Sequence, residues 1–356
     1  MKKAYRIFCI LFLALLFGSG VLTVARPGES FSELENRQLK KTSDISSDVM
    51  SGQFQSDLEK MLSDQFPLRY LCVTLQTKLK LAAGKKDIGG AYIGEGRLFQ
   101  KITSADISCD DIASHAARYA RAGERAGVKV VALPVPSAGC SIPDLLPKGA
   151  EMYDFDRAFA AIAEKLGREN VIDVSGALAG DPKRYYTTDH HWTEFGACDA
   201  YLAWSVYHGF TRDEISVPPV KTVSEDFRGT LCAKVPGFGI ESDILKIPDI
   251  PFDPKVTADG REIPFYDLDA LKTRDKYRVF LGGNHGITVI ENPDAAADRT
   301  VLIVKDSFAN SFVPYLVRHY KKIVMVDERY ATVDLATLAL SEGADEIAII
   351  KEAAFF

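Results

Sequence analysis

The sequence lacks the long basic runs that would follow a phosphate backbone. Its 356 residues include 43 Lys and Arg against 49 Asp and Glu, a formal net charge of −6, so we expect no nucleic-acid partner. Internal repeats and low-complexity tracts are also missing. With 47% hydrophobic and 26% charged residues, the composition excludes a disordered, collagen-like, coiled-coil or polytopic membrane protein. The length allows one elaborated α/β domain or two smaller domains.

Cysteine is scarce and shows no metal-binding pattern. Of six cysteines, Cys9 lies in an apolar segment, and the other five show no C-x-x-C spacing (Cys72, Cys109, Cys140, Cys198 and Cys232). A zinc site built from them is therefore not expected. One or two disulfides are compatible with export, but isolated buried cysteines are the preferred interpretation.

One apolar run is long enough to cross a membrane. Lys2, Lys3 and Arg6 precede the run 7–25, which reads as an export signal. A peptidase could cut near 18–20 or after Ala25 and release the remainder. Otherwise the run stays as an anchor of about 20 residues, with its basic end in the cytoplasm. Because no clear A-x-A cleavage site is visible, we favour the uncleaved anchor with the rest of the chain outside.

The remaining sequence divides into a helical extension over 27–87 and an α/β domain over 88–356, following the anchor at 1–26. In the α/β domain, helical patterns alternate with apolar runs, which predicts a mostly parallel sheet with helices on both faces, a three-layer α/β/α arrangement. The Pro- and Gly-rich stretch 211–275 is expected to be an irregular insertion. The predicted helices are 108–126, 153–166, 193–208, 309–320 and 333–341, and the predicted strands are 128–134, 171–174, 278–281, 299–305, 322–327 and 346–351.

Two loops deserve a functional interpretation, because ligands of such sheets bind beyond the carboxyl ends of the strands. The first loop contains Asp189, His190 and His191 just before a predicted helix. In one interpretation these residues bind zinc or iron, although consecutive ring nitrogens converge poorly on one ion. In a second, Asp189 caps the helix that starts near Thr193. In the third, Asp189 orients the imidazole of His191, which acts as a general base.

The second loop offers a nucleophile for that base. Ser307 follows the predicted strand 299–305 and precedes a helix. A serine at such a turn presents its hydroxyl at the carboxyl end of the strand, next to helix N–H groups that can stabilise an oxyanion. Alone, Ser307 would be an ordinary helix cap. Together with His191, it predicts an activated serine.

Four strings resemble the bacterial DHHW protein family, which is related to the SGNH-hydrolase-like domain of alginate O-acetyltransferases. The resemblance covers almost the whole chain after the anchor and implies an SGNH-like fold. In those relatives a DxHW motif carries the catalytic Asp and His, which match Asp189 and His191, and Ser307 matches the nucleophile. The order Asp, His, Ser is reversed from ordinary SGNH hydrolases. The strings are TDHHWTEFGA (188–197), ENR (35–37), FLGGN (280–284) and KDSFANSF (305–312).

The resemblance also suggests an oxyanion hole, because SGNH enzymes add a Gly N–H and an Asn side chain to the N–H of the nucleophile. Gly283 and Asn284 are the candidates, with a plain turn as the alternative, and Asn310 could donate instead. Further residues are expected beside the triad or at the substrate: His190, Trp192, Asp306 and Asn310. Trp192 is either a core residue or a sugar-stacking wall.

Together with the two loops, the resemblance implies a serine-dependent O-acetyltransferase or acetylesterase that acts on a cell-surface polysaccharide outside the cytoplasm. A membrane protein that supplies acetyl groups is a further expected partner, and neither a metal nor another cofactor is expected. Two alternatives stay open: a non-catalytic glycan-binding or scaffold protein on the same fold, and a metal-dependent hydrolase using Asp189 and His190. His285 has no assigned role, and we expect His115, His208 and His319 to be structural.

Overall fold

The computed structural model describes residues 2–26, 28–32 and 37–356. The chain forms two compact units: residues 1–88 with 233–239, and residues 89–232 with 240–356. The first two residues of the ENR string, Glu35 and Asn36, lie outside the described residues. The elements of the first unit are α1 (Lys2–Ala25), β1 (Phe31–Ser32), β2 (Arg37–Gln38), α2 (Gln53–Asp64), α3 (Arg69–Ala82) and β3 (Asp87–Ile88).

Helix α1 contains the apolar run that was predicted to be an anchor or signal. Its span Tyr5–Thr23 is long and apolar enough to cross a membrane, and little of that span is buried. Within the same unit, Arg37 forms an ion pair of 2.6 Å with Asp64 on α2. The side chain of Gln65 bonds to the backbone of both Glu29 and Lys40 at 2.9 Å. These contacts hold the segment between α1 and α2 against α2.

The second unit is a mixed α/β fold built around a seven-stranded sheet in the order β10-β9-β11-β13-β12-β14-β6. Its strands are β4 (Ala91–Ile93), β5 (Leu98–Gln100), β6 (Lys129–Val135), β7 (Val220–Phe227), β8 (Asp243–Pro248), β9 (Lys255–Ala258), β10 (Arg261–Ile263), β11 (Ile287–Glu291), β12 (Thr300–Lys305), β13 (Lys322–Val326) and β14 (Glu346–Glu352). Its helices are α4 (Cys109–Ala126), α5 (Ala138–Ser141), α6 (Phe155–Leu166), α7 (Ser175–Leu178), α8 (Glu194–Tyr207), α10 (Phe308–Leu316) and α11 (Leu335–Glu342), and the second unit also contains the first three residues of α9 (Thr230–Lys234).

Only half of this sheet is parallel. Strands β13, β12, β14 and β6 pair in parallel, whereas β10, β9, β11 and β13 pair antiparallel. The prediction of a mostly parallel sheet therefore holds only for the first group. Strands β9 and β10 form a hairpin from the stretch predicted to be an irregular insertion, and that hairpin extends the sheet. The same stretch contains the antiparallel pair β7 and β8.

The parallel half is covered by apolar side chains on both faces, as its continuous apolar strands predict. Alternate residues of β12 point to opposite sides. Val301 and Ile303 pack in a cluster with side chains of α8 and α10. Leu302 and Val304 pack in a second cluster with side chains of α4, α6 and α11.

Two predicted strands differ in the structure. The run 171–174 contributes one bridge, Val171 to Ala132. The run 278–281 is not a strand, because a 3₁₀ turn occupies Lys276–Val279 and the backbone then turns left-handed, with φ of 57° at Leu281 and 69° at Gly282. Left-handed residues end an extended strand. The six cysteines are free, and none is buried, which corrects the expectation of buried cysteines.

Gly123 on α4 provides a test of how closely this helix approaches β6. A Cβ at this position would lie 2.3 Å from Val130 Cγ2 and 2.9 Å from the Val128 carbonyl oxygen. Ala usually stabilises a helix relative to Gly. Here the steric overlap should instead make the Ala variant less stable than the wild type. We expect Gly123→Ala to lower the free energy of unfolding by about 1–3 kcal/mol, measured by denaturant unfolding.

The matched control is Gly176→Ala in α7, where an added Cβ meets no atom within 4 Å. Its stability should be unchanged or slightly higher. Equal stability of the two variants would contradict the close packing of α4 on the sheet.

Candidate active site

Ser307 lies directly beyond the carboxyl end of β12, at the start of α10. The residue is half-buried and lines a cavity of about 630 Å³. Its side chain makes no capping bond to the helix. Instead, Asp306 Oδ1 accepts the hydrogen bond from the Phe308 N–H at 2.9 Å. The hydroxyl of Ser307 is thus not used as a helix cap.

The side chains of Asp189, His191 and Ser307 form a continuous chain of hydrogen bonds. His191 Nε2 lies 2.6 Å from Ser307 Oγ, across 116 residues of sequence. His191 Nδ1 lies 2.5 Å from Asp189 Oδ1. Asp189 Oδ2 accepts hydrogen bonds from the backbone N–H of Thr230 at 2.7 Å and from its hydroxyl at 3.1 Å. The structure thereby brings the two loops singled out in the sequence to one point.

The environment of Asp189 keeps its carboxylate ionised. Burial alone would raise the pKa of this side chain, but the adjacent His191 and His190 and the hydrogen bonds to the carboxylate outweigh it, so the pKa lies well below its usual value. An ionised Asp189 accepts a hydrogen bond from a protonated Nδ1 of His191. The opposite nitrogen, Nε2, is then free to accept the proton of the Ser307 hydroxyl.

Tyr277 fixes the plane of the His191 ring, a role that the sequence did not reveal. The two rings stack with centroids 3.9 Å apart and an angle of 6° between their planes. The Tyr277 hydroxyl donates to Ser311 Oγ at 2.9 Å and lies 3.3 Å from the Ser307 carbonyl oxygen. Burial raises the pKa of Tyr277 well above its usual value, so its hydroxyl stays a donor. The only signal in the sequence was an aromatic residue in an irregular stretch.

Arg97 and Asp243 hold the loop that carries Asp189, and neither was predicted. Arg97 is 2% exposed and donates to the carbonyl oxygens of Tyr185 at 2.8 Å and Tyr186 at 2.7 Å. Asp243 accepts hydrogen bonds from the N–H of Thr188 at 2.8 Å and from its hydroxyl at 2.5 Å. Because these partners are far apart in sequence, no local motif could identify them.

The remaining residues predicted near the triad occupy different environments. His190 lines the cavity, and its Nδ1 lies 2.9 Å from Thr230 Oγ1. Asp306 lines the same cavity and accepts a hydrogen bond of 2.7 Å from the Glu352 N–H. Trp192 is 0% exposed and donates to Ser311 Oγ at 2.9 Å. A side chain without exposed surface cannot stack on a sugar, so Trp192 is a core residue.

The residues predicted for the oxyanion hole belong to a polar network behind Ser307. Lys305 Nζ donates to Asn284 Oδ1 at 2.6 Å and to Asn310 Oδ1 at 3.0 Å, and Asn310 Nδ2 donates to the Gly283 carbonyl oxygen at 3.2 Å. Lys305 also faces Asp327 at 3.3 Å. Burial lowers the pKa of Lys305 to about 8, against the attraction of Asp327. Neither Gly283 nor Asn284 is among the residues that line the cavity, so their role in the oxyanion hole stays a prediction.

The backbone N–H of Ser307 is a further candidate donor to an oxyanion. The N–H groups of the next three residues donate to Asp306 Oδ1, to the Asp306 carbonyl oxygen and to the Ser307 carbonyl oxygen. Among the described residues, no acceptor is found for the Ser307 N–H. A first-turn amide without an intrahelical acceptor can bind an anion.

The hydrogen bonds of the Asp-His-His loop argue against the two other interpretations, which are metal binding and helix capping by Asp189. The ligand atoms of Asp189, His190 and His191 lie within 4.8 Å of one another, but both ring nitrogens of His191 and both oxygens of Asp189 already have partners in the protein. Binding a cation there would displace Ser307 or Thr230. The capping role also falls to another residue, because Thr193 Oγ1 accepts from the Phe195 N–H at 3.3 Å.

The other histidines have separate partners. His208 faces Glu346 at 3.0 Å, and His319 Nε2 lies 2.8 Å from the Tyr201 hydroxyl in the core, where burial lowers its pKa to about 4. His285 Nε2 lies 2.9 Å from the Leu281 carbonyl oxygen. His115 bonds to the Phe356 carbonyl oxygen and also lines the cavity next to Ser307.

Comparison with known proteins confirms the resemblance predicted from the sequence. Residues 264–326 match the family model "DHHW protein", and residues 102–205 match that of the SGNH hydrolase-like domain of the acetyltransferase AlgX. The first match contains Tyr277, Gly283 and Ser307, and the second contains Asp189 and His191. No curated protein shows significant sequence similarity to this chain.

Several solved structures share the fold. A DHHW family protein from Eubacterium siraeum superposes with a TM-score of 0.62 at 23% sequence identity, covering 74% of this chain and 91% of that protein. PatB1 from Bacillus cereus, solved with a sulfonyl adduct, gives 0.60 at 16% identity, with 74% and 94% covered. A second PatB1 structure gives 0.57 at 17% identity, with 74% and 95% covered. At these identities the likeness establishes the fold alone.

Gly229 offers a test of how Asp189 is held. A Cβ at Gly229 would lie 2.2 Å from Asp189 Cβ and 2.3 Å from Asp189 Oδ2, so Gly229→Ala should displace the carboxylate. Asp189 then loses its short bond to His191, and we expect the far-downfield proton NMR signal of the His191 Nδ1–H to disappear. The control is Gly239→Ala, where an added Cβ meets no atom within 4 Å. An unchanged signal in Gly229→Ala would contradict this account.

Proposed function

We propose that this chain is an extracytoplasmic serine-dependent enzyme that transfers or hydrolyses an O-acetyl ester on a cell-surface polysaccharide. The observation that carries the proposal is the hydrogen-bonded chain from Asp189 through His191 to Ser307, which ends at a cavity of about 630 Å³. The match to the SGNH hydrolase-like domain of an acetyltransferase supports the same chemistry. The predicted three-layer SGNH-like arrangement is part of this proposal.

Each member of the triad has one task in the first half of the reaction. Ser307 Oγ attacks the acetyl carbonyl carbon while His191 Nε2 takes the hydroxyl proton. The ionised Asp189 stabilises the resulting imidazolium. When the tetrahedral intermediate collapses, the bond to the leaving alcohol breaks and His191 returns the proton to that oxygen. The products of this step are the free alcohol and acetyl-Ser307.

The oxyanion of that intermediate needs donors close to Ser307. The Ser307 N–H meets this need, because the described part of the chain provides no other acceptor for it. Asn284 is the proposed second donor, since its Oδ1 is engaged by Lys305 and Asn310 and its amide N–H groups are left for a ligand. Gly283, with φ of 108°, is proposed to allow the close approach.

The acceptor decides whether the second half is transfer or hydrolysis. A sugar hydroxyl that gives its proton to His191 and attacks acetyl-Ser307 forms a new O-acetyl ester and restores the serine. Water in the same position releases acetate. The proposal includes a membrane protein that supplies acetyl groups, and α1 as the anchor that keeps the domain outside the cytoplasm.

The enzyme proposal is tested with the full chain and an acetyl-ester reporter. Ser307→Ala should lower kcat/KM by at least about a thousandfold, and Ser341→Ala on the exposed side of α11 should leave it unchanged. A phenylmethanesulfonyl fluoride label should appear on Ser307 of the wild type by peptide mass spectrometry, and it should be absent from His191→Ala. Equal turnover by wild type and Ser307→Ala would leave the non-catalytic glycan-binding protein as the better description.

The charge of the cavity leads to a prediction about the acceptor. Six carboxylate side chains line it against three basic side chains, so an anionic polymer is repelled more than a neutral or amino-bearing one. We expect acetylation of N-acetylglucosamine or glucosamine oligomers, detected by mass spectrometry, to exceed that of oligouronates by about tenfold or more. The acidic and basic residues in the lining are Asp106, Asp111, Asp306, Asp327, Glu328, Glu352, Lys305, Arg329 and Lys351.

Asp111→Asn serves as the matched variant, since it removes one carboxylate from the rim without touching the triad. Its rate with oligouronates should rise relative to the rate with neutral oligomers. Oligouronates that are acetylated as fast as the neutral oligomers by the wild type would contradict this prediction.

A further inference from the structure

Helix α3 presents a continuous apolar stripe on the outside of the first unit. Leu71, Leu75 and Leu79 are 60%, 54% and 62% exposed, and Leu68 and Cys72 are also exposed. Spacings of three and four residues place all five side chains on one side of the helix. Single exposed leucines are ordinary on a protein surface, whereas a contiguous apolar stripe marks a site of interaction.

The same segment is strongly basic, although the whole chain is acidic. Between 65 and 86 the sequence contains five basic residues and no Asp or Glu. Lys78, Lys85 and Lys86 are exposed, and Lys80 is half-buried. A helix with leucines on one face and lysines beside them is typical of segments that lie in the interface of an anionic membrane. A protein partner would have to supply an apolar and acidic surface of matching length.

Helix α3 also begins where the apolar span of α1 ends. Thr23 and Arg26 at the end of α1 line a cavity of about 330 Å³ together with Tyr70 and Val73 of α3. The span Tyr5–Thr23 is the one segment in the described residues that is long and apolar enough to cross a bilayer. The basic, leucine-rich face therefore starts close to the point at which α1 would leave the hydrocarbon.

We propose that α3 is an interfacial membrane helix that lies on a bilayer containing anionic lipids. Its leucines enter the boundary between headgroups and acyl chains, and its lysines lie at the lipid phosphates. The inference does not depend on the proposed catalysis.

Cys72 makes the proposal directly testable, because it lies within the apolar face. Among the six cysteines only Cys9 and Cys72 are exposed, so a full-length Cys9→Ala chain takes an environment-sensitive fluorophore at Cys72 without disturbing the half-buried cysteines. The labelled chain is reconstituted into vesicles of phosphatidylcholine with phosphatidylglycerol. We expect lipid-borne nitroxide to quench this probe several-fold more than aqueous iodide does, as for a group among acyl chains.

The matched control carries the probe on α2, as Cys9→Ala/Cys72→Ala/Glu59→Cys, because Glu59 is exposed to solvent. Iodide should quench that probe more than the lipid nitroxide does. Replacing phosphatidylglycerol by phosphatidylcholine, or Lys78, Lys85 and Lys86 by Gln, should reduce lipid quenching at Cys72. Leu71→Asp/Leu75→Asp should do the same, with the thermal unfolding midpoint showing that the variant is folded.

Two results would overturn the proposal. If Cys72 and the Glu59→Cys probe respond alike to both quenchers, α3 faces water. If Cys72 is shielded from iodide and from the lipid nitroxide alike, another protein surface covers it. A second copy of this chain is then indicated where the shielding falls on dilution of the protein in the vesicles.

Discussion

The site depends on a buried carboxylate that must stay charged. Asp189 is 1% exposed, and an ionised group at such depth is stable only when its lost hydration is replaced. Four donor atoms replace that hydration: the backbone N–H and Nδ1 of His191, and the N–H and hydroxyl of Thr230. The same hydrogen bonds therefore replace the lost hydration of Asp189 and fix the orientation of the His191 imidazole.

A second buried charge lies on the other side of the nucleophile. Lys305 is 2% exposed, is held by Asp327, and links Asn284 to Asn310 through hydrogen bonds. These contacts connect the Gly-Gly-Asn turn to the first turn of α10, on which Ser307 is mounted. Ser307 is therefore placed between two polar networks, one that holds His191 and one that links the Gly-Gly-Asn turn to α10.

Local sequence patterns were sufficient to place the ends of several helices and strands, including the strand before Ser307. The run 299–305 reads as a buried strand because its apolar residues are continuous, and β12 begins and ends within one residue of it. The helix predicted over 108–126 also ends where expected, at Gly127, which has φ of 69°. In these cases neighbours along the chain decide the conformation, so a single sequence contains the necessary information.

Residues that meet the site only through the tertiary fold could not be predicted from local sequence patterns. Tyr277 stacks on His191 although its own segment has no periodic pattern, and Gly229 approaches Asp189 only because Thr230 turns back toward the carboxylate. The hairpin of β9 and β10 was missed for a related reason: short strands beside Pro and Gly resemble a loop until a sheet edge is available to pair with. The role proposed for Gly283 and Asn284 is equally hard to predict, because it depends on a distance to a ligand rather than on any pattern in the chain. The exposed apolar stripe of α3 shows the opposite case. Its leucine spacing and lack of acidic residues were present in the sequence, but the stripe gains meaning only once the structure shows that the protein leaves it uncovered.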